Sequence, residues 1–168
     1  MEADREARFP PAAAVLEAVQ EADGIRAGAC GAVREVSRAR RIRKWIVEYR
    51  VVRCGPAGER REEWVLGKSY ADDRGAVAFR LMRHLWRNGL GAGSRYTIAR
   101  PIAYLEPWRF LLMSRAPGTT LAAHLQDPHH ASRPAAEAAA WLTRLHGVPL
   151  PDPPPVGDPA REAGAGRF

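Results

Sequence analysis

The stretch EEWVLGKSYADDRGAVAFRLM, residues 62–82, joins a predicted strand to a predicted helix. Side chains alternate between the two faces of a strand. One face of residues 63–70 therefore holds an aromatic, aliphatic and basic set: Trp64, Leu66, Lys68 and Tyr70. Lys68 is one of only two lysines in a chain that has twenty-four arginines. A partly buried lysine is costly unless an anion accompanies it, so this position calls for an explanation.

The second half of the stretch predicts an amphipathic helix. Apolar residues recur there at the i, i+3, i+4 and i+7 spacing of a single helix face: Ala78, Leu81, Met82 and Leu85. Asp72 and Asp73 precede the helix, where carboxylates favour the positive end of its dipole. Asn88 and Gly89 form a plausible stop.

The remaining periodic segments predict further elements on both sides of this stretch. Helices are predicted at residues 10–23, 120–125 and 134–146, and strands at residues 32–36, 42–52, 99–105 and 108–114. The basic residues 37–41, SRARR, are interpreted as the turn between the first two strands. Together these elements predict an α+β fold, with about five antiparallel strands and one helix inserted between the third and the fourth.

Composition narrows the class of protein. The chain has 168 residues, of which 46% are hydrophobic and 27% charged, with a formal net charge of +7, which is the profile of a globular domain. The arginines are spread along the chain and no nucleic-acid motif is present, so nucleic acid is not the expected partner. No apolar run approaches the roughly 20 residues of a membrane span, so no membrane partner is expected either. We predict a cytoplasmic protein in which Cys30 and Cys54 are reduced.

The order of these segments resembles the amino-terminal lobe of the protein-kinase-like superfamily, and is closest to the aminoglycoside phosphotransferase family. Four stretches between residues 28 and 146 carry the resemblance: WVLGKSY, GAVAFRLMRHLW, RPIAYLEPWRFLLMSRAPGTTLAAHL and AEAAAWLTRLHG. The resemblance implies a kinase-like N-lobe, followed by a hinge and one or two helices of an incomplete C-lobe.

The resemblance also implies a site for ATP. Lys68 would contact the α- and β-phosphates as a compact point charge. Leu66 would form part of the roof over the adenine, and Met113 would lie at the back of the pocket. Backbone groups of the hinge would hydrogen-bond to the adenine edge, and the hinge residues are Ser114, Arg115 and Ala116.

Two departures from the family pattern concern the N-lobe. Residues 37–41 stand where the superfamily has a glycine-rich loop, and Arg38, Arg40 and Arg41 either bring charge to the phosphates or form a solvated basic turn. Residues 75–88 contain no acidic side chain, although the resemblance implies a helix glutamate that pairs with Lys68.

A third departure concerns the chemistry. Residues 147–168 are rich in proline and glycine, and contain neither the His-x-Asp…Asn loop nor the later Mg²⁺-binding aspartate of the family. We therefore predict no catalytic residues and no metal ligands, although Mg²⁺ is expected for the family, and give Asp152 and Asp158 no role. A truncated or frameshifted gene would explain this pattern, and the nucleotide sequence after codon 168 would test it.

These observations lead to two predictions of function. The first is the nucleotide-binding portion of a small-molecule kinase that does not transfer phosphate by itself. The second is a noncatalytic module that binds another protein chain through its exposed inter-lobe face. The predicted units are an N-terminal helix and lead-in, an N-lobe, a linker with the first C-lobe helices, and a disordered tail, at residues 1–27, 28–116, 117–147 and 148–168.

Overall fold

The computed structural model describes residues 9–24, 31–41, 44–54, 59–126 and 131–150. Its helices are α1 (Ala12–Ala22), α2 (Arg74–Leu85), α3 (Leu121–His124) and α4 (Ser132–His146). Its strands are β1 (Gly31–Arg41), β2 (Lys44–Cys54), β3 (Arg60–Ser69), β4 (Pro101–Leu105) and β5 (Phe110–Ser114). Each of these elements overlaps one that the sequence predicts.

The five strands form one antiparallel sheet in the order β1-β2-β3-β5-β4. Helix α2 is inserted between β3 and β4, as predicted, and packs on β4 and β5. Helices α3 and α4 follow the last strand. The predicted α+β fold class, with a kinase-like N-lobe followed by further helices, is confirmed.

The predicted turn at residues 37–41 is wrong, because these residues belong to β1. They pair with β2 up to the pair Arg41 and Lys44. β1 is an edge strand, and almost all of its side chains are exposed. Residues 37–41 therefore lack the alternation of apolar and polar side chains by which a strand is predicted from sequence. Its backbone is ordered by hydrogen bonds to β2, and a sequence pattern of side chains does not show such bonds.

The main core lies on one face of the sheet, which we call the outer face. Strand residues two apart share a face, and the buried ones come from β2, β3 and β5: Val47, Tyr49, Val51, Val65, Phe110 and Leu112. Val15 and Val19 of α1 cover them, together with Phe9. On β3 the intervening residues, among them Leu66 and Lys68, are only half-buried and face the other way.

Gly67 is the position of β3 over which the ring of Phe110 packs in the main core. A methyl group on Gly67 would overlap the ring of Phe110 and lie 3.1 Å from the ring of Tyr49. Phe110 in turn makes edge-to-face contacts with Tyr49 and Phe9, at centroid distances of 6.4 and 6.2 Å. Only glycine leaves room for this aromatic cluster, which explains the glycine directly before Lys68.

A network of charges ties α1 to the sheet. Asp23, just after α1, forms ion pairs with Arg53 of β2 and with Arg100, which precedes β4. Arg53 also lies 3.0 Å from the carboxylate of Glu63 in β3. These side chains are mostly shielded from solvent, so the network holds the helix end against β2, β3 and the residue before β4.

A second, smaller cluster joins α2 to the chain that follows α4. Leu85, Leu90 and Val148 are buried together. Trp141 of α4 donates from Nε1 to the carbonyl of Thr97, at 2.9 Å. The packing thus reaches Val148, the first residue of the predicted tail, whereas residues 151–168 lie outside the described residues.

Cys54, the last residue of β2, is disulfide-bonded. The expectation of a reduced thiol at this position is therefore wrong, and Cys30 lies outside the described residues. Among the described residues, no helix has both the length and the apolar character needed to cross a membrane.

We predict that Gly67→Ala destabilises the fold by about 1–3 kcal/mol, because overpacking forces the ring of Phe110 to move. Urea unfolding followed by tryptophan fluorescence measures the change. Gly147→Ala is the matched control, because Gly147 has helical backbone angles and only ordinary contacts around an added methyl group. An equal loss of stability in the two variants would contradict the role assigned to Phe110.

The buried hydroxyl of Tyr49 predicts a loss of stability at high pH. It has no hydrogen-bond partner among the described residues, and burial, assisted by the charge of Glu35, raises the pKa of Tyr49 to about 12. An unfolded tyrosine has a pKa of about 10, so the folded state holds this proton to higher pH. Stability should therefore fall as the pH rises from about 10 to about 12. Urea unfolding across this range should show a shallower fall in Tyr49→Phe, and parallel curves would contradict the assignment.

Candidate functional site

The face of the sheet opposite the main core, which we call the inner face, brings three of the predicted site residues together. Lys68 pairs with Ile46 of β2 and with Leu111 of β5, and Leu66 pairs with Met113. Paired residues of neighbouring strands point to the same side. Leu66, Lys68 and Met113 therefore lie side by side, and each is half-buried. Their role in binding stays a prediction.

Lys68 has an aromatic neighbour instead of an acidic one. Its Nζ lies 5.4 Å from the centre of the Tyr70 ring, within the range of a cation–π interaction. Among the described residues, no carboxylate lies within ion-pair distance of this ammonium group. The inner face therefore presents a half-buried cation whose charge is not neutralised by the described part of the chain.

The two aspartates before α2 are directed to arginines. Asp72 lies 3.1 Å from Nε of Arg74, and Asp73 lies 3.7 Å from Nε of Arg109. The ring of Tyr70 instead packs against Gly75, in the first turn of α2, where an added methyl group would lie 2.8 Å from it. Tyr70 thus contacts both Lys68 and the start of the helix that lacks a glutamate.

The predicted hinge residues begin at the last residue of β5, Ser114, and two of their three N–H groups donate to backbone carbonyls. Ser114 donates its N–H to the carbonyl of Arg100, and Arg115 donates its N–H to the carbonyl of Trp64, each at 2.9 Å. Within the described residues nothing accepts a hydrogen bond from the N–H of Ala116. That group is the hinge donor left for a ligand.

The side chain of Arg115 lies across the inner face. Its guanidinium carbon is 5.5 Å from the ring centre of Trp64, and Nη1 is 3.3 Å from the carboxylate of Glu48 in β2. A ligand that stacks on Trp64 must therefore share or displace this arginine. The planar guanidinium is itself a surface on which a flat ring can stack.

A shallow cavity of about 400 Å³ lies at the hinge. It is lined by Glu63, Trp64 and residues 114–118, so it contains all three predicted hinge residues. Lys68 is four residues farther along β3 than Trp64, a distance of about 13 Å at the rise of a strand. A ligand that touches both the cavity and Lys68 must therefore extend along β3.

One of the two readings of the arginines in residues 37–41 was that they bring positive charge to the phosphates, and their contacts give this reading little support. Arg38 forms hydrogen bonds of 2.8 and 2.6 Å with Glu35, and stacks over the ring of Phe9 at 4.1 Å. The hydrogen bond with Glu35 is the main reason that the pKa of Arg38 is raised. Arg40 and Arg41 are exposed.

Sequence reasoning did not assign Lys44 to the site, although the structure places it there. Lys44 begins β2, and its Nζ lies 5.0 Å from the centre of the same Tyr70 ring that contacts Lys68. The missing information was the hairpin register, because the predicted strand began at residue 42 with an unassigned partner. Once Ile46 is paired with Lys68, Lys44 must lie on the inner face.

No group of three or more His, Cys, Asp or Glu side chains in the described part of the chain is arranged to hold a metal ion. Asp152 and Asp158, which were given no role, lie outside the described residues. The structure therefore offers no residues through which a step involving Mg²⁺ can be derived.

A family model described as the phosphotransferase enzyme family matches residues 50–168, a span that contains every predicted site residue. No curated protein and no solved structure matches the chain. The matched span begins within β2, so Lys44 and the whole of β1 precede it.

Proposed function

This chain belongs to the phosphotransferase enzyme family, and on that premise we propose that its inner face binds ATP. The observation that carries the proposal is the position of Lys68. It is a half-buried cation beside Leu66 and Met113, and no carboxylate among the described residues neutralises it. An anionic ligand on the inner face would remove the cost of such a charge.

The proposed pose runs from the hinge along β3. The adenine occupies the cavity beside Trp64, with its edge toward the N–H of Ala116 and its ring near the guanidinium of Arg115. The phosphates extend toward Lys68, about 13 Å farther along the strand. An ammonium group suits this end, because it meets a phosphate as a point charge without a fixed planar geometry.

For this chain the proposed activity is binding and not transfer. Transfer of the γ-phosphoryl group to a hydroxyl needs a catalytic aspartate and Mg²⁺ ligands, and their sequence pattern is absent from the 168 residues. The resemblance to aminoglycoside phosphotransferases favours a small acceptor that carries a hydroxyl. In that family the second lobe binds the acceptor, so no residue of this chain is assigned to it.

The proposed location is the cytoplasm, because the proposed ligand ATP is abundant there. The disulfide at Cys54 is the observation that weighs against this location, because disulfides are rare in that compartment.

We predict that Lys68→Ala weakens ATP binding by about tenfold to a hundredfold, the value of a hydrogen bond to a charged group. Isothermal titration calorimetry of the whole chain measures the dissociation constant. Arg60→Ala is the matched control, because it removes one positive charge from an exposed position at the far end of the same strand. Unchanged affinity in Lys68→Ala would remove Lys68 from its assigned role.

A second candidate function, a protein-interaction module, is favoured by the helices that follow the hinge. Helix α4 has no fully buried residue, and three leucines of this region expose between 40 and 48% of their surface: Leu121, Leu125 and Leu142. Apolar side chains exposed together are typical of a surface that another chain covers. The partner in this proposal is another protein chain that packs on α3 and α4.

If this face binds a further copy of the chain, the protein should self-associate in a concentration-dependent way. Size-exclusion chromatography with light scattering should then show the double variant Leu125→Glu and Leu142→Glu as a monomer. Val77→Glu is the control, because Val77 is equally exposed but lies on α2. A wild-type chain that remains monomeric at every concentration and retains no protein partner in pull-down experiments would count against this function.

A further inference from the structure

Both lysines of the chain lie against one aromatic ring. Nζ of Lys44 is 5.0 Å and Nζ of Lys68 is 5.4 Å from the centre of the Tyr70 ring. The chain has twenty-four arginines, yet the two positions that converge on this ring are both lysine. The two ammonium groups are therefore separated by no more than the sum of these two distances, a gap that an anion with charged oxygens along a short chain can bridge.

The convergence follows from the way in which the ends of β2 and β3 are held. Ile46 pairs with Lys68, so Lys44 extends past the end of β3 on the same face, beside Tyr70. Ser69 accepts a hydrogen bond from the N–H of Trp45 through its Oγ, at 2.9 Å. This bond lies one residue beyond the last pair of the ladder, Ile46 with Lys68, and holds the ends of the two strands together at the site.

The ring of Tyr70 is held in place independently of the lysines. Its N–H donates to the carbonyl of Arg109 at 2.9 Å, and its ring packs against Gly75 of α2. Burial raises the pKa of Tyr70, which keeps the hydroxyl neutral, although the charge of Lys44 acts in the opposite direction. The ring therefore offers both ammonium groups a neutral, fixed surface.

The arrangement concentrates positive charge, and no carboxylate in the described part of the chain forms an ion pair with either lysine. The nearest acidic residues in sequence are Glu48, Asp72 and Asp73, and they form ion pairs with Arg115, Arg74 and Arg109. Two ammonium groups near one point repel each other, and a ring quadrupole only partly offsets this repulsion. A ligand with several negative charges along a short chain would remove the repulsion by contacting both groups.

We infer that Lys44 and Lys68 bind a single polyphosphate chain together, and that Tyr70 positions both ammonium groups. This inference rests on the proposed function and adds a second phosphate-binding residue to it. Lys44 precedes the residues that the family model matches, so its role comes from the geometry of this chain. Helix α2 has no carboxylate that could position Lys68 through an ion pair. In this inference the ring of Tyr70 positions the lysine instead.

The first test is calorimetry of the whole chain with two probes, ATP and inorganic tripolyphosphate. Lys44 is exposed, and we expect Lys44→Ala to weaken binding of both probes by about tenfold, the lower end of the range for a charge-assisted contact. Arg50→Ala is the matched control. Arg50 lies on the same strand and the same face, and its exposed ion pair with Glu62 contributes little to stability. We expect the control to bind both probes like the wild type.

The two probes separate this inference from the proposed function. If Lys44→Ala binds both probes as tightly as the wild type while Lys68→Ala does not, the shared site is overturned and the ATP proposal stands. If the wild type binds tripolyphosphate through Lys44 but does not bind ATP, the shared anion site stands and the ATP proposal fails. Absence of binding to either probe overturns both.

The second test concerns Tyr70 as a positioning residue. Tyr70→Phe keeps the ring and should bind tripolyphosphate like the wild type, whereas Tyr70→Leu removes the ring and should lose about the affinity that one lysine contributes. Thermal unfolding of both variants shows whether they are folded. Equal affinity in folded Tyr70→Leu and Tyr70→Phe would overturn the positioning role.

A spectroscopic readout completes this test, because the chain has only two lysine side chains to label. Reductive methylation with ¹³C retains their charge and gives two side-chain signals, which Lys44→Ala and Lys68→Ala assign. We expect both signals to be shifted by the Tyr70 ring, to return toward ordinary positions in Tyr70→Leu, and to move together on addition of tripolyphosphate. A signal of Lys44 that does not move with the ligand would overturn the shared site.

Discussion

The orientation of the whole sheet depends on the space that Gly67 leaves for the ring of Phe110. Because that space is filled, β3 can present only one side to the aromatic core formed with Tyr49 and Phe9. Shifting the pairing by a single residue would turn every side chain of β3 to the opposite face. Lys68 follows Gly67 directly, so an apolar contact on the outer face determines that the lysine is on the inner face.

Much of this arrangement could be predicted from the sequence, because the central strands and α2 carry clear periodic patterns. The alternation in residues 63–70 placed Leu66 and Lys68 on one face, and the register confirms that placement. The extent of β1 could not be predicted, because an exposed edge strand has no apolar pattern. The position of Lys44 depends on the register between β2 and β3, which the sequence does not show, and Lys44 was therefore missed. The ion pairs of Asp23 join residues that are far apart in sequence, and spacing does not show such contacts.

The structure also shows a division between the two basic residue types in the described part of the chain. Several arginines are paired with carboxylates, often next to an aromatic ring, as for Arg38 with Glu35 and Arg115 with Glu48. The planar guanidinium suits such fixed, two-point contacts. The two lysines have aromatic contacts but no carboxylate partner there. These arginines thus form paired contacts within the fold, whereas both lysines contact the ring of Tyr70 on the inner face.

Among the described strands, β1 is an eleven-residue edge, with a neighbouring strand on one side only. A long edge of this kind is a template on which another chain can add a strand and begin to aggregate. Five charged side chains occupy this strand, and all are exposed: Arg34, Glu35, Arg38, Arg40 and Arg41. Four of the five are positive, so a second copy that approached edge to edge would meet like charge. The basic character of this segment, which adds little to the ligand site, thus disfavours pairing between the edges of two copies.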